Sequence, residues 1–171
     1  MQTEFELFTR AVPIGIGATV VMDLWAAALR QLGIPSLKLS LLGRWVGHLG
    51  RGRLIHQDIG QSAPVRGERL LGVGAHYGIG VSFAALLLFF VGEDWVASPR
   101  PGPAVLLGVV TVLAPWFILQ PGLGAGIASS KTKTPLFNAL KSLVTHTVFG
   151  VGLYLAALAG AIVPWSAAAA R

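Results

Sequence analysis

Five side chains hold most of the chemistry that this 171-residue chain can offer: Asp23, His48, His56, His76 and His146. Imidazole and carboxylate together make a general base, a proton relay or part of a metal or haem site, and a carboxylate bonded to one ring nitrogen sets the role of the other. The chain has no cysteine, which excludes a disulfide, a thiolate metal site, an iron–sulfur cluster and a thiol nucleophile. His48 and His56 sit eight positions apart in GRWVGHLGRGRLIHQDIG, residues 43–60, a spacing that is not a zinc-ligand signature. PVRGER at 64–69 then places Arg66 and Arg69, whose planar forks suit phosphate or carboxylate, around Glu68, which could itself pair with either. No HExxH, dinucleotide fingerprint or nucleophile–base motif occurs. GLGAGIASSKTKT at 122–134 lacks the Gly-Lys-Ser/Thr order of a phosphate loop.

The elements that must position these groups are membrane helices. With 54% hydrophobic and 12% charged residues and a mean hydropathy of +0.70, the chain lies far from soluble domains, where about a quarter of residues are charged. A helix needs about 20 apolar residues to cross a hydrocarbon layer of about 30 Å. Four stretches reach that length: 11–33, 71–92, 103–122 and 141–163. A soluble globule would need a charged exterior that a run such as VSFAALLLFFVG does not supply. MQTEFELFTR sets Glu4 and Glu6 against Arg10 and lacks the basic start of a secretory signal, so the first span is expected to be retained. The expected fold is all-α, a four-helix transmembrane bundle forming a single integral membrane domain over 1–171.

The basic residues beside these spans divide nine to three. Lys38, Arg44, Arg51, Arg53, Arg66, Arg69, Lys131, Lys133 and Lys141 lie on one side, and Arg10, Arg100 and Arg171 on the other. The positive-inside rule places the 34–70 loop in the cytoplasm and both termini in the periplasm, in a multi-pass protein of the bacterial inner membrane. Glu4, Glu6, Glu93 and Asp94 gather on the outer side. The net charge of +6 therefore reads as orientation, and no nucleic-acid partner is expected. Trp95 and Trp165 at the outer boundary and Trp45 near the inner one suit interfacial anchors, whereas Trp25 and Trp116, inside spans, read as packing residues.

Ionisable groups within spans are costly and face protein or a water-filled cavity. Asp23 falls near the middle of the first span, with Arg30 two turns further in. At 1.5 Å per residue, His76 and His146 both come to lie roughly 7–8 Å inside the cytoplasmic boundary, with Gln120 at the same end and Thr111 further out. This asymmetry predicts a polar pocket open to the cytoplasm. The plainer alternative is a structural tie, with Asp23 paired to Arg30 or His76 and each histidine satisfied by a hydroxyl such as Thr145 or Tyr77. Close helix approach is expected along Gly15, Ala18 and Met22 in the first span, Gly74, Gly78 and Ser82 in the second, and Gly152, Ala156 and Gly160 in the fourth. Pro115 should kink the third span and Pro121 should end it.

In the 34–70 loop, Leu37, Leu41, Leu42, Trp45, Val46 and Leu49 recur at helical spacing. They predict a cytoplasmic amphipathic interfacial helix between spans 1 and 2, its Lys38 and Arg44 near anionic lipid headgroups. RGR at 51–53 should break it, and LIHQDIG could start another short helix. His48 and His56 would face each other or fold down toward His76 and His146; a solvated basic loop is the simpler reading.

GIGATVVMDLW (15–25), IPSL (34–37), GRWVGHL (43–49), PVRGERLLG (64–72), HYGIG (76–80), QPGLGAGIA (120–128) and SLVTHTVFGVGLYL (142–155) together resemble a bacterial family of small integral membrane proteins known as domain of unknown function number 2938. The likeness runs over nearly the whole chain and implies a four-span inner-membrane protein. It implies no activity, cofactor or site residue.

The leading expectation is a non-enzymatic membrane protein whose cytoplasm-facing pocket binds a small ligand. Asp23, His76, His146 and Gln120 would build the pocket and the 43–60 loop would lid it, with His48, His56, Arg66 and Arg69 completing the ligand-binding set. A metal ion held by His76 and His146, or haem, is the candidate ligand, and transport would require a second conformation. The first rival is a structural or assembly subunit, as a homo-oligomer or in a larger membrane complex. The second is a membrane-embedded lipid-modifying enzyme with a histidine base.

Overall fold

The computed structural model describes residues 4–162, with side chains from residue 8 onward except that of Glu93. Trp165 and Arg171, and the side chains of Glu4 and Glu6, lie outside the described residues. Among the described residues all regular structure is helical: α1 (Glu4–Gln31), α2 (Leu39–Leu49), α3 (Glu68–Ala97), α4 (Pro101–Thr111), α5 (Gln120–Leu123) and α6 (Pro135–Ile162). A π turn over Pro115–Leu119 joins α4 to α5. Four helical stretches are long and apolar enough to cross a membrane: Phe8–Gln31, Glu68–Gly92, Pro101–Leu123 and Pro135–Ile162. The fold is thus an all-α four-helix bundle, and the protein is a multi-pass membrane protein, its apolar helices suited to a lipid bilayer.

Two boundaries differ from those read off hydropathy. The fourth crossing helix begins at Pro135 rather than at residue 141. Proline is at ease in a first turn, and the helix simply continues through polar residues that hydropathy reads as loop. The third does not stop at Pro121. Pro115 offers no N–H to the Thr111 carbonyl, and the expected kink takes the form of the π turn, in which the Gln120 N–H reaches back to the Pro115 carbonyl. That shift restarts the helix at Gln120, so Pro121 falls in a new first turn where a missing N–H costs little. Gly124 ends it, with φ at +95° and its N–H on the Pro121 carbonyl at 3.1 Å.

α1 is the centre of the bundle, packed on both α3 and α6, while α4 packs on α6 and α2 on the start of α3. The core comprises Ala11, Ile14 and Ala18 of α1, Leu87 and Leu88 of α3, Ala104 of α4 and Phe149 and Leu153 of α6. Because lipid is as apolar as leucine, helices in a bilayer associate through close packing more than through burial of apolar surface. Small residues supply it. A Cβ on Gly15 would lie 2.5 Å from the Val81 Cα, and one on Gly152 would lie 2.9 Å from the Ala18 Cα. Gly17 faces Ala156, and Gly108 faces Gly150.

The expected Gly74, Gly78 and Ser82 stripe is not such a surface. A Cβ on Gly74 or Gly78 would meet nothing within 4 Å, and the exposed Ser82 hydroxyl donates to its own helix at the Gly78 carbonyl. α3 packs instead through Gly72, against the Leu39 carbonyl, and Gly80, against Thr19. Residues two apart lie about 200° apart around a helix, so neighbours in sequence reach opposite sides. Near its end α3 breaks at Gly92, whose φ of +70° admits glycine readily. The following turn folds Trp95 inward. At 2% exposure, with Nε1–H donating to the Arg100 carbonyl at 2.9 Å, Trp95 is a core residue and not the expected interfacial anchor.

Candidate functional site

Asp23 occupies the interior of α1 because fifteen residues of apolar helix precede it from Phe8 and the helix then continues to Gln31. In such a helix the backbone satisfies itself, leaving the carboxylate to find partners on other helices. It finds two on consecutive residues of α3. Asp23 Oδ1 lies 2.9 Å from His76 Nε2, and Asp23 Oδ2 accepts from the Tyr77 hydroxyl at 3.0 Å. The histidine side chain is 19% accessible and the aspartate 39%, so the carboxylate is the more open member. The two rings meet edge-on at 5.7 Å. Arg30, the other expected partner, bonds Ser36 instead.

His146 projects from α6 onto α4, where its Nδ1 lies 2.9 Å from the Thr111 hydroxyl, itself bonded to the Gly108 carbonyl at 2.7 Å. It remains within electrostatic range of His76. His76 is eight residues past the start of α3, whereas His146 is eleven past the start of α6, because α6 begins earlier than hydropathy indicates. Gln120 Nε2 donates to Ser142 at 3.0 Å, while Gln120 Oε1 and the Nε1 of Trp116, within the π turn, are buried without partners. Trp25 Nε1 donates to Thr145 at 3.3 Å, tying α1 to α6. Thr145 thus serves the tryptophan and not a histidine.

The 34–70 loop folds around Arg44. Its Nε and Nη2 grip the two Glu68 oxygens at 2.8 and 2.9 Å, and Nη1 donates to the carbonyls of Ile59, Gly60 and Ser62 at 3.1–3.2 Å. Donating to Glu68 raises the Arg44 guanidinium above its ordinary value. Glu68 also accepts from the Val65 N–H at 3.2 Å. Arg44 is therefore a scaffold for the loop backbone and not a headgroup ligand, and Glu68 pairs with it and not with Arg66 or Arg69, which are exposed. α2 lies hard against α3, since a Cβ on Gly43 would overlap the Glu68 carbonyl. LIHQDIG forms one short 3₁₀ turn at Ile59–Gln61, capped by Asp58.

His48 and His56 do face each other. His48 Nδ1 lies 2.8 Å from His56 Nε2, with both residues 4% exposed. The outer nitrogens meet carbonyls: His48 Nε2 that of Ala63 at 3.0 Å, His56 Nδ1 that of Gly122 at 3.0 Å. All four ring nitrogens are engaged, which leaves none for His76 or His146. The His56 N–H also donates to the Gly122 carbonyl, and Trp45 Nε1 donates to the Leu54 carbonyl beside Gly122. Trp45 therefore wedges the loop onto the end of the third crossing, where an interfacial anchor was expected.

The polar residues expected to share one pocket thus form three settings: Asp23, His76 and Tyr77; His146 and Thr111; and Gln120 and Ser142. Among the described residues, no group of three or more His, Cys, Asp or Glu side chains is placed to hold a metal ion. A groove of about 310 Å³ at the α1–α6 junction is lined by Trp25, Leu29, Phe137, Lys141 and apolar neighbours, with neither Asp23 nor a histidine among them. Sequence reasoning missed Arg44 as an organiser. The signal available was its place one helix before the only carboxylate of the 64–72 stretch, Glu68.

The family described as "Protein of unknown function (DUF2938)" matches residues 12–160, nearly the whole of the bundle. The chain belongs to this family. Its match begins inside α1 and ends inside α6, so it takes in Asp23, the Arg44 hub and all four histidines. No curated protein and no solved structure matches the chain.

Proposed function

We propose that this member of the family is a non-enzymatic protein of the bacterial inner membrane that binds a small ligand, a metal ion or haem, at Asp23, His76 and Tyr77. In this reading the face bearing α2 is cytoplasmic and both termini are periplasmic. The observation that carries it is the Asp23 carboxylate, set in a membrane-spanning helix yet 39% accessible beside an imidazole and a phenol. A carboxylate within a membrane-spanning helix is costly, and such groups are retained mostly where they serve function. Carboxylate and imidazole are both ligands that divalent metal ions accept. Two protein donors of that kind suit an exchangeable ion completed by water or by Tyr77, and an exchangeable ion is what a transporter needs.

The test is thermal unfolding of the detergent-purified protein in the presence of individual divalent metal ions and of haemin, with haem binding followed by absorption. A ligand at about a hundred times its Kd should stabilise by about 2.7 kcal/mol. Asp23→Asn, which keeps the shape and removes the charge, should abolish that gain. Absence of stabilisation by every metal and by haemin counts against the site.

A second reading makes the same residues structural ties in a membrane assembly subunit. It is favoured by the partners that the ionisable groups already have: Asp23 has His76 and Tyr77, and His146 has Thr111. Under it, His76→Ala with His146→Ala lowers unfolding temperature or complex assembly and leaves metal and haemin titrations flat in the wild type as well.

A further inference from the structure

The contacts of His48 and His56 count the hydrogens on the pair. Ala63 and Gly122 present carbonyl oxygens, which only accept, so His48 Nε2 and His56 Nδ1 must each carry a hydrogen. The central contact, His48 Nδ1 to His56 Nε2 at 2.8 Å, is a hydrogen bond only if one hydrogen lies between the two nitrogens. Two neutral rings have two hydrogens for these three contacts and would oppose two lone pairs at the centre. Two imidazolium rings have four and would oppose two N–H groups. Three hydrogens fit. A metal ion does not, because two nitrogens on one tetrahedral ion with bonds of about 2.0–2.1 Å lie about 3.3 Å apart.

We propose that His48 and His56 share one proton as a buried imidazole–imidazolium pair that clamps the 51–58 segment between α2 and the end of the third crossing. The proton is the ligand of this site, and its charge is met by the two carbonyl oxygens aimed along the ring N–H bonds. Glu68, on α3, is within electrostatic range of His48 and is itself held by Arg44 on α2. The remaining charged neighbours in the loop, Arg51, Arg53, Asp58 and Arg66, are exposed, and α5 on the far side carries no charged residue. As pH rises and the shared proton leaves, lone pairs confront each other at the centre, and the contact joining α2 to the segment docked on Gly122 is lost. This clamp is separate from the Asp23 site and does not rest on the ligand proposed there.

The direct test is nitrogen NMR of the full chain labelled with ¹⁵N-histidine in lipid nanodiscs. Two of the four histidines should show three protonated ring nitrogens between them, with one strongly deshielded proton coupled to nitrogens of both rings. Two hydrogens on that pair, or four, overturns the proposal. His48→Gln and His56→Gln should each delete the shared signal; should either fail to fold, the wild-type spectrum decides alone, because neither His76 nor His146 is bonded to another imidazole. Titration toward alkaline pH should abolish the shared signal. In the same range tryptic cleavage after Arg51 and Arg53 should quicken several-fold, relative to a free peptide at each pH. Cleavage that stays constant while the signal disappears overturns the clamp.

Discussion

Arg44 and Asp23 are both ionisable side chains in a protein made mostly of hydrocarbon, and the structure treats them differently. Arg44 makes five hydrogen bonds, three of them to backbone carbonyls, and holds together a loop with little regular structure. Asp23 has two partners, both side chains. The difference follows from the backbone. A crossing helix satisfies its own N–H and C=O groups, so a polar side chain there needs only a partner or two on a neighbour. An irregular segment packed against a bundle leaves carbonyls over, and a guanidinium fork with five donors can collect them. The 34–70 loop is accordingly an integrated part of the fold, and the mid-bundle polar groups are discrete pairs.

That contrast can be broken experimentally, beginning where the effect should be greatest. Gly43→Val and Gly72→Val each force a side chain into backbone, at the Glu68 and Leu39 carbonyls respectively, and no compact movement of a flexible side chain relieves it. Neither variant should yield monodisperse protein by size-exclusion chromatography in detergent; normal recovery of either would show that α2 is not docked on α3.

Next comes Arg44→Ala, which leaves the Glu68 carboxylate and three carbonyls without their donor. It should lower the unfolding temperature clearly and speed proteolysis of the loop, while Arg69→Ala, at an exposed position, should change neither. Equal effects from the two substitutions would remove the distinction between a hub and a solvated basic loop.

Smaller still is Asp23→Ala. Hydrogen bonds between membrane helices average about 0.6 kcal/mol, so loss of His76 and Tyr77 as partners should cost about 1 kcal/mol in equilibrium unfolding in mixed micelles. A cost rivalling that of Arg44→Ala would make Asp23 a second hub. Last, Gly78→Ala adds a methyl group where nothing lies within 4 Å and should shift stability by no more than about 0.5 kcal/mol. A large loss there would show that this face of α3 is covered by something beyond the chain.

Much of the outline could be read in the residues. The four apolar runs correspond to four crossing helices, and the leucine spacing of 37–49 to α2, because both signals depend only on composition and on the period of one helix. Ala18 of the α1 stripe meets Gly152 of the α6 stripe, but Gly15 packs on Val81 of α3, Ala156 meets Gly17 from outside the stripe, and the equally regular Gly74, Gly78 and Ser82 face outward. A stripe names a face and not the neighbour. Helix ends were less legible, since Pro121 and Pro135 each sit in a first turn whose start depends on the hydrogen bonding before it.

By itself, then, the sequence determined that this chain has four helices long and apolar enough to cross a membrane, which of them carries Asp23 and which residues are ionisable at all. These are local properties of hydrophobicity and period. Which polar group meets which was decided only by the tertiary structure. Asp23 selects His76 and Tyr77 over Arg30, Glu68 selects Arg44 over the adjacent Arg66 and Arg69, and His48 closes on His56. The physical reason is reach: a hydrogen bond acts over about 3 Å, and only the packing of α1, α2 and the loop on α3 and the third crossing brings residues up to 66 positions apart within that distance.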